Sequence, residues 1–382
     1  MRIAIISDGV HPYVIGGMQR HTYYLCKYLS RLGVSITLLH FNKSDKDISK
    51  MEIFTEEENK NIESIVIPFP ESDKLPGHYL RASHKYSSII YERLKDRLSE
   101  FDFIYTKGFS GWRLIEEKLK SPAGFPPIGV KFHGYEMFQK QADLISRLKS
   151  LLLRRPVRWI SRNADFVFSY GSGITDIIKS LGVKPERIIE IPAGIESEWI
   201  SGNVLKVSEP PVFVYLGRYE RRKGIEELNM VLKELSEEGK DIQFRFIGPF
   251  AENQKLKSEK FIYYGTITDN ERIRQILDQA DFLVCPSWSE GMPNVIMEAM
   301  SRGLAVIASE VGAVPLLVDS DNGFLVKPGD KPALKNAILK ALNSDKQTIL
   351  TMKHVSRNKI KDNFRYEIIL ERFVKQIKNT IR

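Results

Sequence analysis

The sequence predicts an α/β protein built from two open, parallel, doubly wound sheets, and three observations carry that expectation. Short apolar runs of strand length alternate with stretches of helical apolar spacing, the pattern of parallel sheets covered by helices. The alternation occurs twice, on either side of residues 201–211, a linker low in large apolar side chains that contains Pro210 and Pro211. A chain of 382 residues also exceeds one ordinary core, so two domains of about 200 residues each are expected.

The first domain, residues 1–200, is expected to hold strands near 3–6, 35–40, 65–68, 103–106, 128–132, 166–170 and 188–191. Residues 19–32 read as a helix because Tyr23, Tyr24, Leu25, Tyr28 and Leu29 recur at helical spacing, and residues 87–98 read as another. The second domain, residues 212–365, is expected to hold strands near 212–216, 243–247, 261–264, 282–285, 305–309 and 323–326. Its helices fall near 225–237, 270–279, 295–302 and 331–343. Residues 366–382 form a closing helix, with Ile369, Phe373 and Ile377 on one face. Each half is Rossmann-like. Such sheets bind ligands beyond the carboxyl ends of their strands, so two of them facing each other place the site in the cleft between.

Apolar and charged fractions of 42% and 27% are those of a globular chain, which excludes disorder. The apolar run at the N-terminus is shorter than the core of a signal peptide, and no run reaches bilayer length. A cytoplasmic protein is expected, or one held peripherally on the inner face of the plasma membrane. Cys26 and Cys285 each lie among apolar residues and read as reduced packing residues, with no disulfide or cysteine metal site. A net charge of +9 favours an anionic partner: a nucleotide, a phospholipid surface or nucleic acid. Zinc-finger spacing, an RNP-like aromatic strand and a basic tail are missing, so nucleic acid is not expected.

The chemistry concentrates after particular strands. Glu290 and Glu298 stand eight positions apart around a turn that opens a helix, with Pro293 where a first-turn proline is tolerated. Free N–H groups and the positive end of a helix dipole there suit a phosphate, and the two carboxylates can accept sugar hydroxyl protons. A capped helix bearing an exposed glutamate is the alternative. Gly217 to Gly224 follows the first strand of the second half, placing Arg218 and Lys223 at its carboxyl end. The Arg fork and the Lys point charge together suit a diphosphate; a solvated basic loop is the alternative, and Arg221 and Arg222 fit that description. Gly16 and Gly17, after the first strand, allow close backbone approach to a phosphate or sugar, and they do not form the G-x-G-x-x-G fingerprint of NAD sites. His133 lies at a strand's carboxyl end, able to bond a sugar hydroxyl or to be a satisfied core histidine. Asp45 with Asp47, and Asp319 with Asp321, have the spacing of a metal-binding pair, but the second continues into Asn322-Gly323 and reads as a turn; no metal is assigned.

Taken in order, these motifs resemble retaining glycosyltransferase family 4, the glycosyl transferases group 1 with the GT-B fold. The resemblance spans nearly the whole chain: Gly16-Gly17, Phe132-His133-Gly134, Ile191 to Glu196, Gly217-Arg218 with Lys223-Gly224, Glu290-Gly291 through Glu298-Ala299-Met300, and Asn322 to Val326. It implies two Rossmann-like domains facing each other across a cleft. It implies that Arg218 and Lys223 bind a donor diphosphate, Glu290 contacts the donor sugar and Glu298 holds the ribose. His133 would contact the transferred sugar, with Gly16 and Gly17 near it or the diphosphate. Gly291, Met292, Pro293, Asn294 and Val295 would complete the phosphate site with backbone amides. Ala193, Glu196, Ala313 and Leu316 depart from the family's usual Asn, Asp, Gly and Glu.

The implied activity is transfer of a hexose from a UDP- or GDP-sugar to a hydroxyl of a glycan or lipid-linked acceptor in surface polysaccharide or glycolipid synthesis. It proceeds with retention and without a metal cofactor; catalytic roles fall to His133, Glu290, Arg218 and Lys223. A nucleotide-sugar epimerase or hydrolase of the same fold, and a non-catalytic nucleotide-sugar-binding protein, are the alternatives. Residues 140–162 interleave basic and apolar side chains and read either as a helix lying on an anionic membrane surface or as an ordinary helix with its apolar face in the core. Residues 74–97, with Tyr79, Tyr86 and Tyr91, lean toward the membrane reading.

Overall fold

A computed structural model describes residues 1–42, 51–71, 73 and 75–381. Asp45, Asp47 and Lys74, singled out in the sequence, lie outside the described residues. Seven strands make the first sheet: β1 (Arg2–Ser7), β2 (Ser35–His40), β3 (Ile62–Val66), β4 (Phe103–Lys107), β5 (Ile128–Lys131), β6 (Phe166–Ser169) and β7 (Ile188–Glu190). Six make the second: β8 (Val212–Leu216), β9 (Gln243–Ile247), β10 (Phe261–Tyr263), β11 (Phe282–Cys285), β12 (Ala305–Ser309) and β13 (Gly323–Val326). The orders are β3-β2-β1-β4-β5-β6-β7 and β10-β9-β8-β11-β12-β13. All pairings are parallel; Ile3 sits between Ile36 and Phe103 in the register.

Central strands such as β4 are buried along their whole length, which is why they read as unbroken apolar runs rather than alternating ones. Strand order reverses between β1 and β4 and again between β8 and β11. Those switch points open crevices at the strands' carboxyl ends, where the loops carrying Gly17, Lys223 and Glu290 emerge. Strand β3 ends before residue 68 because Pro68 has no N–H to give a ladder. The helix expected over 87–98 begins earlier, at His78, and buries Ala82, Ser83 and Tyr86 with Ile90. Residues 200–211 carry neither helix nor strand.

The final helix, Tyr366–Thr380, returns to the first half. Its Ile369, Phe373 and Ile377 join Ile3, Ile5, Tyr105 and Phe168 in one core cluster, with the Phe373 and Phe168 rings stacked 5.5 Å apart. The chain crosses back where Ile195 N donates to Phe364 O (2.8 Å) and Tyr366 N donates to Ile195 O (3.0 Å). A Cβ on Gly194 would meet the Tyr366 ring at 2.5 Å, so the crossing admits only glycine there. A second cluster runs from Ile128 and Val130 through Met292 to Val214 and Leu283, joining the two halves.

Candidate active site

On the second half, β11 runs out through Pro286 into the loop that carries Glu290, and the helix Asn294–Ser301 begins with Pro293 at its cap and no side chain capping it. First-turn N–H groups therefore have no partner within the helix. The Glu290 carboxylate is buried and triply held. Lys223 Nζ donates to Oε1 at 2.6 Å, Ser287 Oγ donates to the same oxygen at 2.8 Å, and Arg222 Nη1 stands 3.7 Å from Oε2. Burial acts to raise the Glu290 carboxyl, but Lys223 and Arg222 outweigh it and hold the group below its ordinary range. Lys223 reaches this point because Gly224, at φ +67°, turns the chain where a Cβ would lie 1.9 Å from Pro286 O.

The first half supplies the facing wall. A Cβ on Gly291 would sit 1.8 Å from His133 O, so the two loops touch through bare backbone. Gln139 clamps them: its Nε2 donates to Gly134 O and Glu290 O, both at 2.6 Å, while Glu290 N donates to its Oε1 at 3.3 Å. His133 Nδ1 is 2.8 Å from the Tyr170 hydroxyl, and its Nε2 is buried without a protein partner, as is Nδ1 of His21. The two rings meet edge to face at 5.2 Å. Burial, then the nearby Lys107 and Lys131 charges, pull both imidazoles well below their ordinary range, so they are neutral at pH 7. These walls enclose a cavity of about 360 Å³. A hollow of about 460 Å³ beneath residues 207–211 is larger, but it opens at the amino ends of β8 and β9, away from both switch points.

Of the residues singled out in the sequence, Gly17, His133, Lys223, Glu290 and the run Gly291 to Val295 line this cavity. Gly16 does not; it caps the first helix, and a Cβ there would meet Gln19 Oε1 at 2.2 Å. Arg218 is also outside it, with a side chain 70% exposed and paired to Glu220 at 3.0 Å. Arg222, which the sequence left in a solvated basic loop, lines the cavity instead. Glu298 lies in an adjoining niche, buried and 3.1 Å from Arg20 Nη1 of the first half; Arg20 also stands 4.0 Å from Glu196, which accepts from the Tyr24 hydroxyl. Burial raises the Glu298 carboxyl, and Arg20 offsets that only in part. Asp319 is a turn residue: its Oδ1 accepts from Asp321 N at 2.9 Å and its Oδ2 from Lys359 at 2.7 Å. Sequence reasoning missed His21, Tyr170, Gln139 and Arg20. His21 lies one helical turn after Gly17, a spacing that places both on one face, and Tyr170 ends the strand expected over 166–170, the placement that singled out His133; Gln139 carries no local signal.

The family profile described as Glycosyltransferase Family 4 matches residues 15–199, and that described as Glycosyl transferases group 1 matches residues 210–344. The putative teichuronic acid biosynthesis glycosyltransferase TuaC of Bacillus subtilis is 37% identical over 125 residues, covering 33% of this chain and 31% of that protein. Aligned stretches reach only 44% and 51% of the length of two other curated relatives, so the chain matches about a third to a half of these proteins. Among solved structures, sucrose-phosphate synthase from Thermosynechococcus elongatus superposes with a TM-score of 0.74 at 20% identity, over 99% of this chain and 98% of that one. Anabaena Alr3699/HepE, solved in complex with UDP, superposes with a TM-score of 0.67 at 17% identity, over 99% and 100%.

Proposed function

Because this chain belongs to glycosyltransferase family 4, the glycosyl transferases group 1, we propose that it transfers a hexose from a UDP- or GDP-sugar, with retention, to a hydroxyl of a glycan or lipid-linked acceptor in surface polysaccharide synthesis. One observation carries the reading: the buried Glu290 carboxylate, held by the partly buried Lys223 beside a helix N-terminus, faces the neutral His133 across a single cavity. HepE binds UDP on the same fold, and the name of TuaC supports a polysaccharide role.

In this reading the donor diphosphate lies against Lys223, Arg222 and the amides of Asn294 and Val295, with Arg218 reaching in from its exposed loop. Positive charge there takes up the negative charge that develops as the glycosidic C–O bond breaks. The anomeric carbon becomes oxocarbenium-like, and the acceptor hydroxyl attacks from the face the diphosphate leaves, passing its proton to a departing phosphate oxygen. No protein nucleophile is required. Glu290, fixed by Lys223 and Ser287, positions a sugar hydroxyl and opposes the carbocation charge. Neutral His133 and His21 offer Nε2 and Nδ1 to hydroxyls without adding charge beside that carbon. Glu298 would accept from the ribose hydroxyls, exchanging its Arg20 contact.

The test is nucleotide release from a panel of UDP-, GDP- and ADP-sugars, with and without lipid-linked acceptors. Acceptor-dependent release of UDP or GDP is the expected result, and Lys223→Ala should lower kcat/KM by about 100-fold or more. Donor consumption that ignores acceptor, or normal turnover by Lys223→Ala, would overturn the assignment.

A further inference from the structure

The helix Leu144–Asn163 carries six basic side chains and no acidic one. Its inner face, built on Val157, Ile160 and Ser161, is buried against the first sheet. Its outer face is apolar. Leu144, Ile145, Leu148, Leu151, Leu152 and Trp159 are exposed, the first at 74% and the last at 36%. At about 100° per residue these six fall within an arc of about 120°, opposite the buried face. Sixteen large apolar residues are exposed among those described, and six of them lie on this one helix, so the stripe is a patch and not scatter. Arg147, Lys149, Arg155, Arg158 and Arg162, all exposed, flank or interrupt it. Residues 75–97 add little: Tyr86 points inward, its hydroxyl donating to Ser7 O at 3.0 Å, and Tyr79 is the exposed tyrosine there.

We infer that this face docks on an anionic lipid bilayer, with the leucine ridge in the acyl boundary and the flanking cations at the phosphates. An apolar arc flanked by Arg147, Arg158 and Lys149, crossed by the long side chains of Arg155 and Arg162 and free of acidic groups, is the pattern of an interfacial helix, and the absence of acid matches one sign of surface charge along the whole ridge. The ridge, sixteen residues from Leu144 to Trp159, is about 22 Å long. Its amino end is tied to the cavity. The segment leading into the helix carries Gln139, clamped on Glu290, and Lys140, whose Nζ donates to Pro328 O at 2.9 Å and lies 5.0 Å from the Trp288 ring. A bilayer on this face would therefore meet the protein beside the mouth of the site, where a lipid-linked acceptor hydroxyl would enter. Only that last step rests on the glycosyl-transfer reading; docking itself needs no donor.

Sedimentation of the whole chain with vesicles of phosphatidylcholine containing roughly one third phosphatidylglycerol tests it directly. Binding is expected, and should fall at least about tenfold in pure phosphatidylcholine or at raised salt. Leu148→Glu with Leu152→Glu should lower it by at least about tenfold, and Arg155→Ala with Arg158→Ala by about 30-fold, while nucleotide release with a soluble acceptor stays unchanged and confirms the fold. No binding to anionic vesicles, binding indifferent to the leucine pair, or a leucine-dependent dimer in place of vesicle binding would each overturn the inference. Vesicle binding without acceptor-dependent release would instead fail the transferase reading and leave this one standing.

Discussion

Glu290 shows how a single side chain can be legible in sequence while its setting is not. Its position eight residues before Glu298, in a loop between strand and helix, is readable from spacing. The clamp on its backbone is not, because Gln139 is 151 residues away and acquires its role only when the two sheets meet. Gln139→Ala would leave Glu290 O and Gly134 O without these donors and free the loop. About 1–3 kcal/mol of stability should be lost in urea unfolding, with a rise in donor KM exceeding the fall in kcat. His133 carries a second prediction at this scale. Burial and two neighbouring lysines keep it neutral, so its ring should show no titration between pH 6 and 8 in NMR, and mutation of Lys131 to Met should move its ionisation upward.

At the scale of elements, the thirteen strands were legible because parallel strands covered on both faces are continuous apolar runs. The long helix Lys346–Asn363 was not. It buries only Ile349, Lys353, Ser356 and Ile360, too sparse and too polar a stripe to stand out by period. What fixes it is a contact across the fold. Lys353 Nζ donates to Asp281 Oδ1 at 2.8 Å and to Ala280 O at 2.9 Å, and Asp281 in turn accepts from Val212 N at 2.9 Å. Both charged groups are almost fully buried, and the pair anchors the helix to the amino ends of β8 and β11. Lys353→Met would leave Asp281 buried without its counter-charge. A loss of about 3–5 kcal/mol in denaturant unfolding is expected, with much of it restored by Asp281→Asn in the same chain.

For the whole molecule, acid sensitivity follows from histidines that fold in the neutral form. His40 donates from Nδ1 to Phe41 O and accepts at Nε2 from Ser64, and burial lowers it to about 4. Between that value and its ordinary one the unfolded chain holds a proton that the folded chain lacks, so stability rises with pH through this window and is lost as pH falls. His21 and His133 act in the same direction. A fall in Tm beginning near pH 6.5 and steepening toward 4 is expected by calorimetry, with His40→Gln flattening part of it. His40 alone accounts for about 3 kcal/mol of the span.

The crossing at Ile195 has a consequence for how the two halves move. Chain enters the second half just after Ile195 and leaves it just before Tyr366, and the two passing strands are stitched side by side by the amides of both residues. Topologically the second half is an insertion in the first, joined to it by a neck of two chain segments in addition to the Gln139 clamp and the shared core cluster. One segment would be a swivel; two bonded segments define an axis, and they permit a jaw-like opening across it far more readily than a twist along it. Lys223 and Glu290 should then approach or leave His133 along one arc, as a hinge pin guides a door.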